Sequence, residues 1–299
     1  MKFRTRLEKT SGASAVAIGN FDGFHAGHKK IVEALFKTAR HEGLRSVIFT
    51  FHPHPRIFFK QPIQVISTDS QRREILRRLQ PDYLFFIDFA SVADCPAASF
   101  INDILIEKLQ MKSLIIGHDF HCGRNREGDP AFLRRQAAIT PFKIIRTPVI
   151  RSGGLRIASS EIRKKLAAGA ISEANRMLGH PYAIEGLVEK GAGRGTKIGF
   201  PTINVSTANQ ILPAGVFHTQ TVIGKQRLPS VTNIGFAPTF SFAQSVPIKI
   251  ETHIPGFKRM IYGKKVTILF ISKIRSEIKF DSSRSLAKQI SMDITSLKI

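Results

Sequence analysis

The sequence predicts two folds in series: a doubly wound α/β domain over residues 1–180, then a small antiparallel β-barrel with a terminal helix over residues 181–299. Three observations carry this. With 299 residues the chain has room for two cores. Up to Gly179-His180-Pro181, apolar runs alternate with helical periodicity, the rhythm of a parallel sheet. Beyond that point short strands follow one another, punctuated by Gly and Pro, as in a barrel.

In the first half, Ala15-Val16-Ala17-Ile18 is an apolar run suited to a buried parallel strand. Lys29 to Glu42 repeats Ile31, Ala34, Leu35 and Ala39 at helical spacing. Ser46 to Phe51 reads as the next strand, and Thr68-x-x-Gln71 as a capping box that opens a helix to Leu79. Tyr83 to Ile87 reads as a strand. Ala97 to Leu109 reads as an amphipathic helix, with Phe100, Ile101, Ile104, Leu105 and Leu109 on its apolar side. Leu114 to Gly117 and Lys143 to Ile145 read as strands, and two short helices from Ser160 and Ser172 close this half. Six strands are then expected, beginning near Tyr182, Thr202, Val216, Ser230, Ile248 and Val266. A helix over Ser283 to Asp293 follows, with Leu286 and Ile290 on one face.

Composition excludes several classes. No apolar run reaches membrane-spanning length. The basic start, Met1 to Arg6, is not followed by an apolar stretch, so a cytoplasmic protein with no membrane partner is expected. Cys95 and Cys122 are the only cysteines and form neither a C-x-x-C nor a zinc pattern. The charge is the outlier: 45 Lys and Arg against 22 Asp and Glu give +23. Such a balance raises nucleic-acid binding. Yet the basic residues are spread along the chain, with no RNP-type aromatic motif, zinc finger or basic tail. The densest cluster, Arg72-Arg73 with Arg77-Arg78, lies opposite Ile75, Leu76 and Leu79 and reads as a solvated helix face. Polyphosphate substrates and a basic bias of the whole proteome would each give this charge, so nucleic-acid binding is the minor expectation.

The chemistry begins after the first strand, at Gly19-Asn20-Phe21-Asp22-Gly23-Phe24-His25-Ala26-Gly27-His28. Glycines let backbone approach a phosphate, and the helix that follows offers free N–H groups and a positive dipole. His25 and His28 lie three apart and can point the same way. Two imidazoles beside a helix start suit a triphosphate whose charge rises during reaction. This segment resembles the nucleotide site of the bacterial bifunctional riboflavin kinase/FAD synthetase family, whose N-terminal domain is an H-x-G-H nucleotidyltransferase. The resemblance implies ATP binding by Gly19, Phe21, Asp22, Gly23, His25 and His28.

Other segments resemble the same family, in its order. Phe51-His52-Pro53-His54-Pro55 is similar to its T-F-x-P-H-P, which implies flavin contacts for Pro53 and Pro55. Gly117-His118-Asp119-Phe120-His121-Cys122-Gly123 and the run to Asp129 resemble G-x-D-F-x-F-G-x-x-R-x-G-D, which implies flavin contacts for Asp119 and Phe120. Cys122 stands where the family usually has Phe; if a ring there stacks on flavin, Cys122→Phe is expected to strengthen FMN binding, the alternative being that Phe59 or Phe120 already covers the flavin and a Phe at 122 overcrowds the site. Ile157-Ala158-Ser159-Ser160-Glu161-Ile162-Arg163 resembles I-S-S-T-x-I-R, with Ala158 in place of a serine. It implies ATP binding by Ser159 and Arg163, with His28 and Arg163 catalytic.

In the second half, Gly191-Ala192-Gly193-Arg194-Gly195-Thr196-Lys197-Ile198-Gly199 is a glycine-rich loop running into Phe200-Pro201-Thr202-Ile203-Asn204. G-F-P-T-I-N resembles the riboflavin kinase signature, so Gly191, Gly193, Gly199, Pro201, Thr202 and Asn204 are implied in ATP binding. Thr202 and Asn204 alternate onto one strand face, which places two oxygens side by side for Mg²⁺. Asn233 to Phe240 and Leu212 to Phe217 also resemble the kinase. Glu251-Thr252-His253-Ile254 matches its E-x-H-L, and Glu251 is the expected general base, at the end of a strand. Gly256 stands where the family often has Asp. The resemblance implies two reactions: phosphorylation of riboflavin by ATP to FMN in the barrel, and adenylylation of FMN to FAD, with pyrophosphate released, in the α/β domain. Two other readings stay open from the residues alone. One is a nucleotidyltransferase with another acceptor, and the other is a basic nucleic-acid-binding protein on an enzyme scaffold.

Overall fold

The computed structural model describes residues 1–191, 193–236 and 248–296. Ala192 and the Ala237-Pro238-Thr239-Phe240 part of the kinase-like segment lie outside the described residues. The chain divides into two compact units, Met1–Ser159 and Ser160–Ile299.

In the first unit six parallel strands form one sheet. They are β1 (Lys2–Arg4), β2 (Ser14–Ile18), β3 (Arg45–His52), β4 (Tyr83–Asp88), β5 (Met111–Ile116) and β6 (Lys143–Arg146), in the order β1-β4-β3-β2-β5-β6. Both faces of the central strands are buried. Val16 and Ile18 enter one core with Phe49, Phe85 and Leu105, while Ala15 and Ala17 enter the other with Leu35, Ile48 and Leu76. Burial on both faces is why these strands read as continuous apolar runs. The chain leaves β2 towards β3 and β4 on one side, then crosses to β5 on the other. The crevice at the carboxyl ends of β2 and β5 is therefore the switch point where such sheets bind ligands.

The helices on the two faces are α1 (Ala26–Glu42), α2 (Pro55–Phe58), α3 (Asp69–Arg78), α4 (Ala97–Ser99) and α5 (Pro130–Ile139). α1 ends on Gly43, whose φ of 63° is the left-handed cap that glycine adopts without strain. α3 opens on the expected capping box, both bonds of which are made between Thr68 and Gln71. α4 runs on as a π-helix over Phe100–Lys108, where an α-helix was expected; Leu109 N–H reaches back to the Ile104 carbonyl at 3.0 Å. The apolar spacing is the same for both, so only the backbone partner differs. β1, α2, α5 and the hairpin of β7 (Arg151–Ser152) and β8 (Leu155–Arg156) were not expected.

The second unit takes up α6 (Ser159–Ala167) beyond its first residue, and α7 (Ile171–Leu178). Its body is a closed barrel of β9 (Tyr182–Glu189), β10 (Thr202–Thr207), β11 (Gly215–Ile223), β12 (Gln226–Phe236), β13 (Ile248–His253) and β14 (Lys265–Arg275). Every neighbouring pair is antiparallel, and β9 closes on β10. α8 (Arg194–Lys197) precedes β10, and α9 (Ser283–Thr295) follows the barrel. The buried residues of the barrel include Ile184, Phe217, Ile234, Ile250, Ile268 and Phe270. Among them run the hydroxyls of Thr219, Thr221, Ser230, Thr232 and Thr252, hydrogen-bonded to one another at 2.8–2.9 Å.

Candidate active sites

The first site is built at the carboxyl ends of β3, β2 and β5, which are neighbours in the sheet. Gly19 N–H donates to the Phe49 carbonyl at 3.2 Å, so the turn leaves β2 from a fixed point. Phe21 and Phe24 take left-handed φ values of 50° and 37°, and Gly23 one of 73°, where a Cβ would also stand 2.8 Å from Ile66. The Phe21 ring is fully buried and presents its edge to His28 at 5.3 Å. The Asp22 carboxylate turns inward and accepts the N–H groups of Ile66 and Ser67 at 3.0 Å. It thus anchors the approach to α3.

His25 caps α1: its Nδ1 accepts the His28 N–H at 3.4 Å. The two imidazoles stack with centroids 3.7 Å apart and planes 14° apart. With Nδ1 accepting, neutral His25 carries its proton on Nε2. His28 Nδ1 is buried and has no hydrogen-bond partner among the described residues. Burial first, then the neighbouring His25 and Arg72, hold His28 well below the usual histidine range. Ser159, which opens α6, directs its hydroxyl at the Asp22 carbonyl, 3.5 Å away. Arg163 is half-buried one turn further along α6.

Arg72 corrects the sequence reading. It is not on a solvated face: it is 3% exposed, and its guanidinium donates to the carbonyls of Asn20 and Phe51 and to Asp69. Arg73, Arg77 and Arg78 are the exposed members of the cluster. Arg72 was missed because helical spacing alone put it among them.

After β3 the His52–Pro53 peptide is cis, Pro53 and Pro55 are half-buried, and buried His54 accepts the Arg56 N–H at 3.2 Å to open α2. Phe58 and Phe59 follow, edge to face with Phe89 at 5.3 and 5.7 Å, and Phe89 meets Phe51 at 5.4 Å. Phe59 is 53% exposed. The sequence reading had no place for Phe58 or Phe89; two adjacent phenylalanines behind a proline-rich turn were the available signal. After β5, Phe120 is half-buried against the core that Phe51 and Phe89 also touch, and exposed Asp119 pairs with Arg156 at 2.9 Å. Cys122 points inward. It is 8% exposed, burial pushes its thiol up to about 12, and a Cβ on Gly128 would stand 2.5 Å from its sulfur.

The second site lies on the barrel. Cross-strand register puts Glu251 of β13 directly between Asn204 of β10 and Asn233 of β12. Side chains on neighbouring strands in register share a face, with Cβ atoms about 4.5–5.5 Å apart. Thr202 and His253, two residues along, are paired in the same way. Glu251 was expected at a strand end and instead sits within β13, held by strands on both sides. Asn233 Oδ1 is buried without a hydrogen-bond partner among the described residues. His253 donates Nδ1–H to the Pro201 carbonyl at 2.8 Å, tying β13 to the glycine-rich approach of β10. That approach contains α8, a short helical turn. Gly193 and Gly199 take φ values of 67° and 86°, and a Cβ at Gly191 would collide with the Asn204 amide.

A Rossmann-like sheet with an H-x-G-H turn at its switch point, joined to a closed six-stranded barrel, is the build of a nucleotidyltransferase fused to a flavokinase. The family described as FAD synthetase matches residues 7–161, and that described as riboflavin kinase matches residues 178–299. The bifunctional riboflavin kinase/FMN adenylyltransferase of Escherichia coli strain K12 is 34% identical over 290 residues, 93% of this chain and 90% of that protein. Its counterpart in Bacillus subtilis strain 168 is 31% identical over 297 residues, 96% and 92% of the two chains. A crystal structure described as a macrolide-efflux protein from Streptococcus pneumoniae superposes with a TM-score of 0.87 at 26% identity, over 99% of this chain and 98% of that one. Among the described residues no helix is long and apolar enough to cross a membrane. The chain belongs to the bifunctional riboflavin kinase/FMN adenylyltransferase family and carries both of its enzyme domains.

Proposed function

We infer that the barrel makes FMN at the Thr202–Asn204–Glu251 face and that the α/β domain makes FAD at the His25–His28 turn. The observation that carries the first assignment is the register of Glu251 opposite Asn204. Glu251 accepts the proton of the riboflavin 5′-hydroxyl as that oxygen attacks the γ-phosphorus of ATP; the bond to the β-phosphate oxygen breaks and ADP leaves. Thr202 and Asn204 supply oxygen donors of the kind Mg²⁺ takes, and the ion's chemistry is charge neutralisation on the phosphates. The glycine-rich approach from Gly191 to Pro201 lets backbone N–H groups reach the triphosphate.

In the α/β domain an FMN phosphate oxygen attacks the α-phosphorus of ATP and pyrophosphate leaves. The nucleophile arrives already ionised, so positioning and charge stabilisation carry the rate. His28, neutral before substrate binds, has an unpartnered Nδ1 and a neighbour in His25. A triphosphate brings the negative charge that favours a proton there. Ser159 adds a contact from the start of α6, and the family resemblance assigns a phosphate to Arg163. Pro53, Pro55, Asp119 and Phe120 form the flavin side, with Phe58, Phe59 and Phe89 as further ring surface. The division near residue 180 between the two catalytic domains is supported by the start of the riboflavin kinase match at 178. Cytoplasmic ATP and small, soluble flavins fit a cytoplasmic enzyme.

Incubation of the chain with riboflavin, ATP and Mg²⁺ should yield FMN and FAD on chromatography. Glu251→Ala should lose about a hundred- to ten-thousand-fold in FMN formation while FMN added directly is still converted to FAD. Kinase turnover near that of the unaltered chain would reject Glu251 as the base.

A further inference from the structure

We propose that Arg72 is a positioning residue for adenylyl transfer, clamping together the two strand ends that carry the nucleotide and flavin segments. Its Nη1 donates to the Asn20 carbonyl at 2.7 Å, in the turn after β2. Its Nη2 donates to the Phe51 carbonyl at 2.5 Å, near the end of β3, and to Asp69 Oδ1 at 2.7 Å. The guanidinium also stands 4.8 Å from the centre of the Phe86 ring on β4. One side chain from α3 therefore reaches the turn that follows β2, the end of β3, and β4 beside them. Asp22 works in the opposite direction, from the turn to the N–H groups of Ile66 and Ser67 ahead of α3. The turn and α3 are laced twice.

A buried guanidinium is a poor way to gain stability, because desolvation offsets most of what its bonds contribute. Its fork geometry is a good way to hold two carbonyls in fixed relation. Its charge also acts on His28. The groups facing His28 are His25 and Arg72, and those facing Arg72 are Asp69 and Asp22. Arg72 thus adds to the burial that keeps His28 unprotonated until a polyphosphate arrives.

This rests on the assignment of adenylyl transfer to the His25–His28 turn. The test uses the full chain with Arg72→Gln, Arg72→Lys and His28→Ala. FAD formation from FMN is followed across the histidine titration range, and His28 itself by ring NMR. Misplacement of a site by about 1 Å costs on the order of a hundredfold, so Arg72→Gln should lower kcat/KM for ATP by about that much. Riboflavin phosphorylation by the same protein should be unchanged, and the His28 titration should move to higher pH. Arg72→Lys keeps the charge and loses the fork, so His28 should titrate as before while FAD formation falls to an intermediate level. Unchanged FAD formation in Arg72→Gln overturns the proposal. So does loss of FAD formation with an unmoved His28 titration, and so does equal loss of both activities in the Gln and Lys variants. Full FAD formation in His28→Ala would overturn the site assignment itself, and with it the role of Arg72.

Discussion

His28 takes up a proton less readily in the folded chain than in the unfolded one, and that difference is a statement about stability. The unfolded chain binds this proton near pH 6.5, the folded chain only well below it. Unfolding free energy therefore falls as pH drops below about 6.5, until the folded residue itself titrates. His28→Gln should flatten the dependence of the urea midpoint on pH in that window; an unchanged slope would show that His28 is not held neutral. At Cys122 the burial of the side chain favours the second of the two readings, overcrowding. The sulfur faces Gly128 and the core, so a phenylalanine there overpacks by about 1–3 kcal/mol instead of meeting flavin. Cys122→Phe should lower the thermal midpoint and leave the FMN KM no better; tighter FMN with an unaltered midpoint would restore the stacking idea. The family pattern gave the residue type at 122, but not the direction in which its side chain points.

Elements differ in how much of them can be read beforehand. β2 to β5 were legible because burial on both faces leaves continuous apolar runs, and α3 because its Thr68–Gln71 box is local chemistry. The π-helix was not, since Phe100, Ile101, Ile104 and Leu105 bury equally well in either helix. Nor was β1, three residues long and paired with β4 at the edge of the sheet. The Arg72 face was misread for a related reason: helix periodicity says which residues share a side, not whether a carbonyl waits there. The glycine-rich approach to β10 makes a sharper claim. With the Asn204 amide pressed against Gly191, Gly191→Ala must displace Asn204. Riboflavin phosphorylation should fall on the order of a hundredfold, as for other misplacements of about 1 Å, with FAD formation from supplied FMN intact. Wild-type phosphorylation kinetics would mean that the close approach is not maintained in solution.

For the whole molecule, the FAD synthetase and riboflavin kinase matches occupy separate stretches of the chain, 7–161 and 178–299, so a lesion in one domain should be bypassed by supplying its product to the other. Asn204→Ala should stop flavin conversion when riboflavin is the substrate and leave it unimpaired when FMN is; failure with both would mean that the units do not work independently. The large positive charge follows the same division only loosely, since basic residues are spread through both units. Having both catalysts in one polypeptide has a consequence for supply. Every chain synthesised adds one kinase and one adenylyltransferase, so their stoichiometry is fixed at translation and gene expression cannot tilt it. The ratio of the two coenzymes then depends on the relative turnover of the two sites and on partition: each FMN leaving the barrel is either claimed by an apoprotein or recaptured for a second turnover.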